Sequence, residues 1–371
     1  MKLTLATVLN TTVVLGMCVS FLTLLLNRIK WYEKLPVRII LAACIAVMFR
    51  FLMPLEFPFT ISVYISEIWP HIYLFFRRPV CMIFDTSVFL YQILLVLWIL
   101  ISLLLLLRLF WENVCLKRRI SLLPDQNDLP VISLLHELNQ QYNHSRNIRI
   151  AVSSDKNLPP YITGIRHPAI VLPDIEWNYQ DLSFIFEHEL IHFYRYHLHI
   201  KIACEIISIL YFWNPFVYIL KKEIFKLLEI VTDSIVTTGM SDEKKIAYAE
   251  SMLNISRIQY LSSKSGIFFA SHHESGLRQR IQILLCNKKH KKKSFICLFS
   301  IFILTMFLLN FAFVFESVYL PPGIESTTIN MNSQNTVLVH RDNLYDVFYE
   351  GEYLTSVSEI FDFSIPIYEE E

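Results

Sequence analysis

The stretch His188-Glu189-Leu190-Ile191-His192 decides how this chain is read. On a helix, residues four apart lie one turn above each other on the same face. His188 and His192 can therefore offer two imidazole nitrogens to one zinc ion. Glu189 then stands beside the metal as a general base, taking a proton from water in metal-assisted peptide hydrolysis. The pentapeptide alone does not establish a site, so the surrounding residues must carry the argument.

A catalytic zinc usually needs a third protein ligand and an open position for water. The segment from Lys222 to Asp233 supplies one. Glu229 and Asp233 are four apart and share a helical face, so Glu229 can ligate zinc. Asp233 can accept the second ring N–H of a zinc histidine, fixing its tautomer. Glu223 is the rival ligand, but no Asp follows it four residues on. His197 and His199, close behind His192, read as surface histidines or as supports for the ligands. Arg278 and Arg280 read as structural or solvent-facing.

Outward from the motif, the pattern from Asp181 is helical, with Asp181 or Ser183 as the expected cap. Upstream, Asn147–Ser153 alternates as a strand, and Ile162–Pro173 reads as a turn around Gly164 followed by a short strand. Downstream, Ile202–Leu210 is helical, and Trp213-Asn214-Pro215 breaks or kinks the chain. Ile206–Leu220 is almost wholly apolar yet too short to span a membrane comfortably. It reads either as a buried core helix or as a helical hairpin dipping into the inner leaflet.

The wider composition is that of a membrane protein: 54% hydrophobic and only 18% charged. Leu3–Leu26, Thr86–Leu107 and Ser294–Phe315 carry no charge, and each meets the roughly 20 residues a helix needs to cross a bilayer. Leu35–Leu55 is a further span, interrupted by Arg50, whose side chain is expected to reach the headgroups. The first block is too long for a signal-peptide core and reads as retained. Lysine and arginine cluster at 28–38, 108–119 and 288–293, which places those flanks in the cytosol and both termini outside. Arg77 and Arg78 argue weakly the other way.

The expected domains are three transmembrane helices within 1–112 (about 3–26, 35–55 and 86–107), a cytosolic zinc domain at 113–293, a fourth transmembrane helix at 294–316, and a short acidic extracytoplasmic tail at 317–371. The tail has short alternating stretches such as Val337-Leu338-Val339 that suggest a small sheet. The lysine run at 288–293 is a membrane-edge anchor, and nothing points to direct nucleic-acid binding. The seven cysteines form neither a disulfide framework nor a zinc knuckle. Ser153–Lys156 and Ser241–Lys244 match Ser-x-x-Lys but lack a Lys-Thr-Gly partner, so no penicilloyl-serine site is expected.

HExxH followed on another helix by ExxxD resembles the gluzincin pattern. Within that clan, Pro160–Gly164 through Pro168–Pro173 looks like the G-x-x-x-P-x-I-x-L-P segment of BlaR/MecR-type membrane metallopeptidases. Trp213-Asn214-Pro215 matches their W-N-P element, and Glu229–Asp233 sits where they carry E-x-x-C-D. Thr232 replaces their usual cysteine, and His197 stands where an acidic residue is common. The likeness covers about residues 1–316.

The resemblance implies a mainly α fold: four transmembrane helices with a cytosolic α+β gluzincin-like metallopeptidase domain inserted between helices three and four. It implies zinc as cofactor, held by His188, His192 and Glu229, with Glu189 catalytic and Asp233 supporting. His272 or His273 would stabilise the oxyanion, unless they are an exposed pair. The best-known relatives sense β-lactams through an extracellular penicillin-binding domain and trigger proteolytic loss of a winged-helix repressor. Some 55 residues of tail cannot build such a domain. The expectation is therefore a multi-pass signalling endopeptidase in the cell membrane that acts on itself or on a winged-helix repressor, with a homodimer as an expected assembly. A quality-control or processing protease and a non-catalytic receptor on the same scaffold are the alternatives.

Overall fold

The computed structural model describes residues 5–26, 36–52, 61–65, 75–76, 79–83, 86–142, 146–156, 158–262, 267–285, 313–317, 336–341, 344–349, 351–357 and 366–369. The chain divides into two compact units, Met1–Ser317 and Val318–Glu371.

The first unit opens with α1 (Leu5–Leu26) and α2 (Val37–Leu52). Strands β1 (Ile61–Ile65), β2 (Pro79–Ile83) and β3 (Thr86–Phe89) follow, with β2 and β3 forming an antiparallel pair. Next comes α3 (Leu90–Ser121), which among the described residues is the one helix long and apolar enough to cross a membrane. It differs from expectation at both ends. Thr86–Phe89 is strand, and the helix runs uninterrupted through the expected domain boundary at 112. Past Leu107 it continues as a polar helix, helped by the Arg108–Glu112 pair one turn apart at 2.8 Å. Arg50 does not reach outward from α2; it is only 1% exposed.

The expected fourth span falls largely outside the described residues. Its end does not continue as helix: β7 (Phe313–Ser317) pairs in parallel with β1. Phe313, Val314 and Phe315 are aromatic and β-branched residues of the kind enriched in strands.

Between α3 and the metal motif lie α4 (Leu129–Gln140), β4 (Arg149–Ser153), β5 (Tyr161–Thr163) and β6 (Ala169–Pro173). The sheet order is β4-β6-β5, with β6 parallel to β4 and antiparallel to β5. The central strand β6 is buried along its whole length, as its uninterrupted apolar run requires. Gly164 turns the chain between β5 and β6 at φ +85°, and a Cβ there would stand 2.3 Å from the His167 carbonyl oxygen, so only glycine fits.

Arg149, on β4, ties this sheet to the end of α3. Its Nη1 donates to the Ile120 carbonyl at 3.1 Å and its Nη2 to the Leu123 carbonyl at 2.6 Å, while its Nε pairs with Asp125. Backbone bonds from Gln126 to Ile150 and from Val152 to Pro124 lay the same segment along β4.

Helices α5 (Tyr179–Tyr194), α6 (His197–Leu210), α7 (Pro215–Val236), α8 (Asp242–Ser262) and α9 (Ile267–Leu285) complete this unit. One side of α5 packs Leu182, Ile185, Phe186 and Leu190 against the sheet and α4. Its other side packs Phe184 and Ile191 against Val236, Tyr248 and Met252. Phe186 is fully buried, so its truncation to Ala would cost about 3–5 kcal/mol. Helix α7 packs on α1 and α2 through Val217, Leu220, Ile224 and Leu228, against Val19, Leu22, Cys44 and Met48. The stretch 206–220 is thus not one helix. Pro215 opens α7 at a position where its missing N–H costs nothing, and Asn214 caps it, accepting from the Phe216 N–H at 2.9 Å.

The second unit is a four-stranded sheet of order β10-β9-β8-β11, built from β8 (Thr336–Arg341), β9 (Leu344–Tyr349), β10 (Glu352–Val357) and β11 (Ile367–Glu369). Leu338 and Val347, opposite each other on β8 and β9, are both buried. The small sheet expected of the tail is present.

Candidate metal centre

Helix α5 begins one residue after Asn178, whose side chain accepts from the Gln180 N–H at 3.3 Å. The cap is therefore Asn178 and not Asp181 or Ser183, which lie inside the first turns. From that start His188 and His192 stack one turn apart toward α7, and Glu229 meets them. His188 Nε2 is 3.1 Å from His192 Nε2 and 3.3 Å from Glu229 Oε2, and His192 Nε2 is 3.5 Å from Glu229 Oε1.

These spacings fit a metal ion. Three ligand atoms at zinc-bond length and tetrahedral angles lie about 3.3 Å from one another. Two imidazole nitrogens and a carboxylate oxygen converging on one point also present lone pairs that a cation satisfies. The three side chains form the candidate metal group among the described residues. Glu223 takes no part; it pairs with Lys226.

Glu189 is 8% exposed, and its Oε2 accepts the Ile162 N–H at 2.7 Å. That donor sits on β5, the edge strand of the sheet, and points away from β6. One carboxylate oxygen is thereby fixed; among the described residues β5 pairs only with β6, and its other edge faces the site.

A further set of groups orients the histidines. The Tyr248 hydroxyl lies 2.9 Å from His188 Nδ1 and donates to Asp233 Oδ1 at 2.8 Å. Asp233 itself is 3.4 Å from His188 Nδ1, so the support expected of it passes largely through Tyr248. Arg280 donates to both oxygens of Asp233, from Nε at 2.7 Å and Nη2 at 2.8 Å, and its Nη1 is 3.4 Å from Glu229. It is a half-buried partner of the centre, in keeping with a structural role. On the other side, His197 Nδ1 is 3.0 Å from His192 Nδ1 and 3.3 Å from Thr232 Oγ1. Lys201 Nζ lies 3.4 Å from Glu229 Oε1.

Electrostatics follow from this crowding. Burial would raise the Glu229 carboxyl, but the charge and hydrogen bonds of both histidines and the Arg280 guanidinium hold it well below the usual range. Burial would lower His188, yet its bond to Glu229 and the nearby Asp233 keep it above the ordinary imidazole value. Burial, reinforced by the neighbouring His192, pushes His197 down to about 3, leaving a neutral ring able to accept a proton bond. Burial and Asp233 push the Tyr248 phenol well up, so it stays a donor.

His272 and His273 fall on α9, but their side chains lie outside the described residues. His199 is exposed. Tyr248 and Lys201 were not signalled by any motif, and Ile162 lies in the Pro160–Gly164 stretch, which carried a family likeness but no site role; each reaches the centre from a different element.

A family model described as BlaR1 peptidase M56 matches residues 1–284, more than half of the chain. No curated protein matches it.

Proposed function

Because this chain belongs to the BlaR1 peptidase M56 family, a family of membrane-associated metallopeptidases, we propose that it is a zinc-dependent endopeptidase of the signalling kind. Its site would cleave the chain itself, a cytosolic winged-helix repressor, or both. The convergence of His188, His192 and Glu229 beside Glu189 carries this reading.

His188, His192 and Glu229 would hold the zinc. When bound, the ion supplies Lewis acidity toward the scissile carbonyl and makes water acidic enough to lose a proton at neutral pH. Glu189 would serve as the base through one carboxylate oxygen, the other being held by the Ile162 N–H at 2.7 Å. The edge of β5 that faces away from β6 offers its remaining backbone groups to an extended peptide, which the site needs for alignment. Tyr248 with Asp233 fixes the His188 ring, and His197 fixes that of His192. The clustering of basic residues in the flanks supports four spans, both termini outside and the zinc domain inside.

The test is the full chain purified in parallel with Glu189→Gln. Both should carry about one zinc per chain, and only the unmodified protein should generate self-cleavage fragments. Equal processing by both would remove Glu189 as base; absence of zinc from both would remove the enzyme reading.

A further inference from the structure

The corner between α6 and α7 touches all three helices read as membrane spans. Trp98 on α3 donates its indole N–H to the Leu210 carbonyl at 2.7 Å, and the Tyr211 hydroxyl donates to the Phe51 carbonyl on α2 at 2.6 Å. On α1, Gly16 leaves room for the Phe216 ring, which would stand 2.8 Å from any Cβ added there.

These contacts lie at similar depths. At 1.5 Å per residue, Trp98 lies about 15 Å before Arg108, and Gly16 about 15 Å before the Leu26 end of α1. Phe51 lies about 21 Å from Val37, the end of α2 nearest in sequence to Leu26. Measured from one side, the corner is thus about half to two thirds of the way through a hydrocarbon core of roughly 30 Å.

Its chemistry suits that depth. No residue from Ile206 to Leu220 is charged, and the corner exposes Trp213 (46%), Tyr218 (45%) and Ile219 (39%). Irregular backbone survives in hydrocarbon only when its polar groups find partners within the protein. Here Trp98 serves the Leu210 carbonyl, Tyr218 donates to the Phe212 carbonyl at 3.2 Å, and the Asn214 N–H donates to the Tyr211 carbonyl at 2.8 Å. Charges resume at Glu205 and Lys221, which pair with each other at 2.7 Å.

The geometry points to a re-entrant hairpin: α6 and α7 enter the bilayer as far as its middle or a little beyond, and Tyr211–Pro215 turns there among lipid chains. Glu229 lies about 21 Å along α7 from Pro215, which returns the metal ligands to the level where α1 ends. Gln279, next to Arg280, marks the same level by donating to the Leu26 carbonyl at 3.2 Å. The centre therefore lies at the membrane surface, and its peptide substrate must be cut there. This inference rests on reading α1, α2 and α3 as spans.

The test is tryptophan quenching in phosphatidylcholine vesicles brominated near the middle of their acyl chains. The full chain is compared with Trp213→Phe, Trp98→Phe and Trp177→Phe, so that differences isolate each indole. Bromine should remove about half or more of the Trp213 and Trp98 signals and leave that of Trp177 in the zinc domain. Quenching of Trp98 without Trp213 overturns the hairpin while leaving α3 as a span. Quenching of neither overturns the span reading, and this inference with it. A benzophenone side chain at Ile219 gives a second measure: lipid adducts on illumination are expected, and adducts to protein alone overturn the hairpin.

Discussion

The Nδ1 atoms of His192 and His197 lie 3.0 Å apart, one buried imidazole meeting another. The approach depends on Tyr196, which links α5 to α6 in the left-handed region at φ 58°, a conformation that costs a non-glycine residue roughly 1–2 kcal/mol. If His192 turns its Nε2 lone pair to a metal, its proton sits on Nδ1, and His197 must accept it.

Removing that acceptor should loosen the metal. His197→Phe is expected to weaken zinc affinity by about 10–100-fold, whereas His197→Asp, a stronger acceptor, should hold it or tighten it. Competition with a zinc chelator measures both.

Tyr248→Phe removes the hydroxyl between His188 and Asp233 while keeping the ring that packs edge-on against Phe184. Zinc affinity should fall about 10-fold or more with little change in thermal stability. An equal loss of stability and affinity would mean that the hydroxyl serves the core and not the histidine.

Arg280→Gln leaves Asp233 buried without its bidentate partner. Unfolding free energy should drop by about 3 kcal/mol or more, since an unpaired buried carboxylate is strongly destabilising. Denaturant titration of the metal-free protein checks this.

Zinc and protons should compete at His188. Its raised folded value means that the metal-free ring keeps its proton above pH 6.5, and zinc must displace it. Zinc affinity is then expected to fall as pH drops, with proton release on binding, measured by titration calorimetry in buffers of different ionisation enthalpy. For the metal-free fold, the His188 contribution is fully present below about pH 6.5 and is lost as pH rises through the folded value. The Glu229 contribution runs the other way. It is present above about pH 4.5 and is lost as pH falls through its depressed folded value.

The convergence of His188, His192 and Glu229 was legible because helical spacing puts the two histidines on one face and the Glu229–Asp233 pair repeats that spacing on a second helix. The role of Gly164 was legible as a turn, although the clash that makes it obligatory needs coordinates. Other features were not. Tyr248 and Arg280 reach Asp233 across 15 and 47 residues of chain, and no local periodicity reports such contacts. Asn178 capped in place of Asp181 because the chain turns helical one residue after it. The start of α3 was misplaced because Thr86–Phe89 is apolar enough for either a helix or a strand.

Arg149 leaves little slack between the long apolar helix and the sheet. Its guanidinium grips the last turn of α3 and the segment beyond it, while its own strand lies beside β6 and β6 beside β5. The N–H that anchors the Glu189 carboxylate belongs to that last strand. A twist or piston stroke of α3 would thus be delivered through three neighbouring strands to the Glu189 side chain, as a lever moves a latch.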